Sequence, residues 1–191
     1  MKNKEFWGLM FNPFIKIAGW EALGLGLAIN IIAAFIGVYS RTVFDGAFDV
    51  HLVAGTNFIS SFAYLGIGLL SLIFTLTIMA FVISRNFRIV DVVGTILLAR
   101  APLILVSLAG FLTHAPDAKV IMANPAVLFT SVSFIVVMIL IVPVALWSIA
   151  LQYNAIKVSC GVKGSKLIAG CIIALFAAEV LSTIIIFYFI K

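Results

Sequence analysis

An all-α integral membrane bundle of five transmembrane helices is the fold class this sequence predicts, and three observations carry it. Of 191 residues, 64% are hydrophobic and 10% charged, and the mean hydropathy is +1.30. A soluble domain carries about a quarter charged residues, so there is too little polar surface here for water and the bilayer is the solvent. Second, five apolar segments reach the roughly 20 residues that a helix needs to cross the hydrocarbon core. They are 20–39, 62–83, 92–112, 128–151 and 167–189, and they must be helices because an open strand edge has no partner in lipid. Third, the basic residues sort by side. Lys2, Lys4, Lys16, Arg85, Arg88, Lys157, Lys163 and Lys166 fall on one side, and Arg41, Lys119 and Lys191 on the other. The positive-inside rule then places the N-terminus in the cytoplasm and the C-terminus outside.

The chain divides into a cytoplasmic or interfacial N-terminal segment, 1–19, and a five-span membrane domain, 20–191. In EFWGLMFNPFIKIAGW, aromatic and apolar residues follow Lys4 and surround Lys16, and Asn12-Pro13 interrupts the segment. It reads either as an interfacial element broken in two or as the aromatic belt of the first helix. The first span's apolar region is too long and begins too late for a cleaved signal peptide, with no small-residue cleavage site after it.

That span carries Gly19, Ala22, Gly26, Asn30, Ala33 and Gly37. At about 100° per residue they form one stripe of small residues with a single amide. Close backbone approach drives helix association in lipid, so the stripe predicts a packing seam. A ligand groove is the alternative. The second span repeats the pattern in more polar form with Tyr64, Gly68, Ser71 and Thr75, and the fifth with Gly170, Ala174, Ala177 and Ala178. Pro102 and Pro143 each remove a backbone donor and predict kinks in the third and fourth spans.

The segments 41–61 and 113–127 hold Asp45, Asp49, His51, His114, Asp117 and Lys119. Their spacing matches no metal-ligand pattern, and they read as solvated loops with no metal and no cofactor. Cys160 and Cys171 make neither a disulfide framework nor a zinc site. The net charge of +5 is dispersed over short loops, which argues against nucleic acid. No Asn-x-Ser/Thr acceptor occurs, in keeping with a bacterial chain and hence the cytoplasmic (inner) membrane.

Arg100, in GTILLARAPLILVSLAG, lies nine residues beyond Asp91, or about 13 Å into the membrane at 1.5 Å per residue. Unpaired there it would cost several kcal/mol. Glu179, thirteen residues past Lys166, lies about 20 Å from the same face, and the depth difference is the reach of an arginine. The two are the candidate intramembrane ion pair, with the Leu98 carbonyl freed by Pro102 as a second acceptor. Such a pair fixes helix register, lines a polar path or ligand pocket, or docks a membrane partner.

The helix ILLARAPLILVSLAG, followed by LWSIALQYNAIKVSCGVKGSKLIAGCIIALF with its Trp, short basic glycine-containing turn and Ser-Lys helix opening, resembles the Yip (Ypt-interacting protein) domain family. Five spans with a cytoplasmic N-terminus agree with that family's layout. The resemblance implies a non-enzymatic multi-pass protein. Eukaryotic relatives engage Rab/Ypt GTPases through a long N-terminal region and an Asp-Leu-x-Gly-Pro-like element. Only nineteen residues precede the first span here, without that element, which argues against a GTPase partner and toward a compact bacterial-type member.

The expected function is therefore a Yip-type scaffold or adaptor working through helix–helix contacts in membrane organisation or trafficking. Its partners would be the bilayer and a second copy or another membrane protein. The alternative is a small-solute or ion transporter, or its membrane subunit, built around Arg100 and Glu179. The five spans show no internal repeat of the kind typical of transporters. No His-Glu-x-x-His or Gly-x-Ser-x-Gly motif points to an enzyme.

Overall fold

The computed structural model describes residues 2–52, 57–84, 86–113 and 118–190. Among the described residues five helical segments are long and apolar enough to cross a membrane, and the protein is an integral multi-pass membrane protein. A short helix α1 (Lys2–Phe11) ends at Asn12-Pro13, and Pro13–Ile15 forms a single 3₁₀ turn. The first span is α2 (Gly19–Ser40), which stops at Arg41 in the left-handed conformation, φ 58°. A hairpin of β1 (Thr42–Val43) and β2 (His51–Leu52) follows, pairing Thr42 with Leu52 and Val43 with His51.

The second span, α3 (Phe58–Ile83), opens on Asn57, whose side chain accepts from the Ser60 amide at 2.7 Å. The third span is broken. Helix α4 (Ile89–Ala99) gives way to a 3₁₀ turn at Ala101–Leu103, then α5 (Ile104–Ala109) and a further 3₁₀ turn to Leu112. The short helix α6 (Ala118–Ala123) leads to the fourth span, α7 (Val132–Cys160), and the fifth, α8 (Ser165–Phe189).

The two prolines behave differently. Pro102 interrupts its span as expected, whereas Pro143 sits inside an unbroken α7. The fourth span also runs nine residues further than the apolar run ending at Leu151. Its last turns, QYNAIKVSC, are polar in sequence but bury Gln152, Ala155, Ile156 and Cys160 against neighbouring helices. Hydropathy marks what lipid contacts, and this segment faces protein.

The third span is the hub. In its most apolar stretch 61% of residues are buried, against 17% in the fourth span. It packs on α2 at one side and α7 at another, while α8 leans mainly on α3. One core cluster joins α3, α4, α7 and α8 through Leu72, Leu76, Ile96, Ile156, Leu167 and Ala178. A second joins α2, α3 and the third span through Ala33, Leu65, Leu97 and Leu103, with Phe44 of the loop segment in it. A third gathers Phe14, Ala22, Ala99 and Leu151 where the N-terminal segment meets α2, α4 and α7. At the basic end Ser84 Oγ at the end of α3 donates to the Cys160 carbonyl at the end of α7 at 3.2 Å, and the hairpin lies at the opposite end of the bundle.

The stripe on α2 faces α4. A Cβ at Gly26 would lie 2.5 Å from the Leu98 amide nitrogen and 2.7 Å from the Leu97 carbonyl carbon. From the other side, a Cβ at Gly94 would lie 2.5 Å from the Gly19 carbonyl oxygen. Ala22, Asn30, Ala33 and Gly37 are buried along the same line. Gly37 closes it against the Thr42 carbonyl at 2.6 Å from where its Cβ would be.

Candidate functional site

The site begins with the break in the third span. Proline has no amide hydrogen, so Pro102 frees a carbonyl one turn earlier, and the end of α4 leaves others without helical donors. In lipid each of these needs a partner. Side chains from both flanking helices reach three carbonyls at the end of α4; that of Leu98 is not among them, and that of Leu97 also accepts from the Arg100 amide at 3.3 Å. Gln152 of α7 donates to the Ile96 carbonyl at 3.1 Å, and Ser148 of α7 donates to that of Ala99 at 3.1 Å. From α2, Asn30 donates to the Leu97 carbonyl at 2.9 Å while bonding Gly26 of its own helix at 2.7 Å. Lower on α5, Ser107 donates back to the Ala33 carbonyl of α2 at 2.9 Å. The amide in the first span's stripe is thus one of several side chains stitching the broken helix to its neighbours.

Arg100 sits at the break and is 1% exposed. Its guanidinium does not take the Leu98 carbonyl. Nη1 instead donates to the carbonyls of Ala47 and, at 3.4 Å, Gly46, both in the segment between the two hairpin strands. Glu179 of α8 approaches that segment from elsewhere. Its Oε2 accepts from the amides of Ala47 at 2.9 Å and Phe48 at 3.3 Å. The direct ion pair expected between Arg100 and Glu179 is replaced by a bridge through the backbone of Ala47. The physical reason is that a peptide offers a donor and an acceptor at once, so both charges are hydrogen-bonded without touching. Arg100 Nε and Nη2 have no hydrogen-bond partner among the described residues.

The bridging segment enters the bundle because its residues are small or apolar. Val43, Phe44 and Ala47 are buried. Gly46 lies on Gly68 of α3, where an added Cβ would come within 2.5 Å of the Gly46 carbonyl oxygen. A Cβ on Gly46 itself would overlap the Glu179 carboxylate. Read as a solvated loop in the sequence, 42–52 is in part a plug. The available signal was TVFDGAFDV, where apolar residues flank a glycine between two aspartates.

At the outer edge of the plug, His51 Nδ1 lies 2.7 Å from Asp45 and Nε2 lies 3.4 Å from Asp49. The hydrogen bond to Asp45 raises the His51 pKa from 6.5 to about 9, against an opposing effect of partial burial. The imidazolium therefore clasps the two ends of the turn. Among the described residues no group of three His, Cys, Asp or Glu side chains converges as metal ligands. His114 and Asp117 lie outside the described residues.

The N-terminal segment docks on the bundle. Trp147 Nε1 donates to the Met10 carbonyl at 3.0 Å and Asn154 Nδ2 to that of Phe11 at 2.9 Å, while Phe14 is buried. Neither Trp147 nor Asn154 was singled out from the sequence for this role, since nothing in the pattern of α7 distinguishes an anchor from an interfacial residue.

Compared with models of known families, with curated proteins and with solved structures, the chain gives no match.

Proposed function

We propose that this is a non-enzymatic multi-pass membrane protein of Yip type, a scaffold or adaptor that works through helix–helix contacts in membrane organisation or trafficking. One observation carries the reading: the intramembrane charges are committed to architecture, with Arg100 on the Ala47 carbonyl and Glu179 on the Ala47 amide. Both groups hold the plug in the bundle, and the glycine contacts between α2 and α4 leave no passage along that seam. Partners of such a protein are the bilayer and other membrane-embedded helices, a second copy among them.

The second reading is a small-solute or ion transporter. The unpaired Nε and Nη2 of the buried Arg100 favour it, because a buried guanidinium with two free donors is suited to an anionic or carbonyl-bearing solute. Proteoliposomes containing only this protein separate the two. A scaffold gives no solute flux above empty vesicles, and cysteine cross-linking in native membranes captures it with a neighbouring membrane protein or copy. Flux abolished by Arg100→Gln, in a variant that still folds, would sink the scaffold reading.

A further inference from the structure

Between α3 and α8 an apolar groove of about 380 Å³ opens sideways toward lipid, lined by Met79, Val82 and Ile83 on one wall and Gly170, Ile173 and Ala177 on the other. Its floor is the contact of Gly170 with Met79, where an added Cβ would lie 3.1 Å from Met79 Cγ. Lys166 is exposed and stands on the same face of α8, since 166, 170, 173 and 177 fall within about 60° at 100° per residue. Lys163 precedes it in the turn and is also exposed. From Lys166 to Ala177 the helix rises about 16 Å, which is one leaflet of a hydrocarbon core about 30 Å thick.

We propose that this groove binds one acyl chain of an anionic phospholipid, whose phosphate is held by Lys163 and Lys166. Two features select that occupant. The groove walls run from Ile83 and Gly170 to Thr75 and Ala177, about 12 Å at 1.5 Å per residue, so the groove stays within the leaflet beneath the lysines, whereas a partner helix would follow the full span. The charge is at one end only and is positive, complementary to an anionic headgroup. A larger groove of about 700 Å³ runs down α3 from Ile67 to Phe81. Among the described residues the arginine beside its basic end, Arg88, lies 3.9 Å from Asp91 rather than free.

The test uses the full chain in nanodiscs and two lipids with a photoreactive group on the acyl chain, phosphatidylglycerol and phosphatidylcholine. Labelled positions are mapped by mass spectrometry. At low salt phosphatidylglycerol should label the groove walls at least about threefold more than phosphatidylcholine. A lysine near an anionic surface contributes about fivefold in binding, so Lys163→Gln with Lys166→Gln should bring the ratio to about one. Both positions are exposed, and an unchanged melting curve confirms that the variant folds. Ala177→Phe should remove groove labelling by both lipids while other faces stay labelled. Equal labelling by the two lipids in the unmodified protein, or a preference that survives the double lysine change, overturns the proposal. So does groove labelling unchanged by Ala177→Phe; if that variant fails to fold, the lysine variant decides alone.

Discussion

Arg100 and Glu179 hold the two polar groups of a single residue: the guanidinium takes the carbonyl of Ala47 and the carboxylate takes its amide. Ala47 is fully buried, so two formal charges from different spans are coupled through the two peptide groups that flank one residue of an inserted loop. Charges linked in this way stabilise each other and pin the segment between them.

Removing both charges should cost less than the sum of removing each alone. Arg100→Gln should cost about 3–5 kcal/mol, because it strands buried carbonyls and leaves Glu179 uncompensated. Glu179→Gln should cost less, about 1–3 kcal/mol, since its amide oxygen still accepts from Ala47. The double variant should recover about 0.5–3 kcal/mol of the summed loss. Thermal unfolding in mild detergent measures all three, and strict additivity would contradict coupling through Ala47.

The seam between α2 and α4 should reject any side chain at Gly26. Its Cβ meets backbone atoms of Leu97 and Leu98, which cannot move aside as a side chain can. Gly26→Val should therefore destabilise by about 1–3 kcal/mol or more. Gly24, on the same helix, has nothing within 4 Å of its added Cβ. Gly24→Ala should be neutral or stabilising by up to about 1 kcal/mol. Equal melting shifts for the two would mean that α2 does not pack as described.

The side chains that satisfy the broken third span should each matter modestly. Asn30→Ala and Gln152→Leu withdraw the donors to the Leu97 and Ile96 carbonyls. Each should cost about 0.6–1.7 kcal/mol, the range for interhelical bonds in lipid. Hydrogen exchange at the amides of 96–101 and of Leu103 should rise in both. No change in either measurement would show that the break is satisfied by other means.

Stability should fall as pH rises toward 9. His51 has its pKa raised from 6.5 to about 9 by Asp45. A raised pKa means that the folded state holds the proton more tightly, so the contribution is complete below about 6.5 and is lost as pH climbs through about 9. With its side chain 55% exposed, the effect is a small one screened by solvent. His51→Gln should flatten the melting temperature between these limits, and an NMR titration should place the His51 midpoint well above 6.5. A midpoint near 6.5 would show that the clasp does not form.

Much of this protein was legible in its sequence. Lipid demands about 20 apolar residues per helix, so the number of spans follows from counting, and the face of α2 that packs follows from where its small residues recur. The donor missing at Pro102 and at Pro143 predicted a kink in each span, but not that the third span would break while α7 runs unbroken through Pro143. The end of α7 was not legible in the same way, since residues that face protein need no hydropathy signal. Nor was the partner of either charge. Depth along a helix places Arg100 and Glu179 near each other, but it says nothing about what lies between them. Only the tertiary structure decided that the segment around Ala47 folds back into the bundle. The reason is physical: a short apolar loop with a glycine can enter wherever two helices leave room and two charges need hydrogen bonds, and both conditions arise from contacts between residues far apart in the chain.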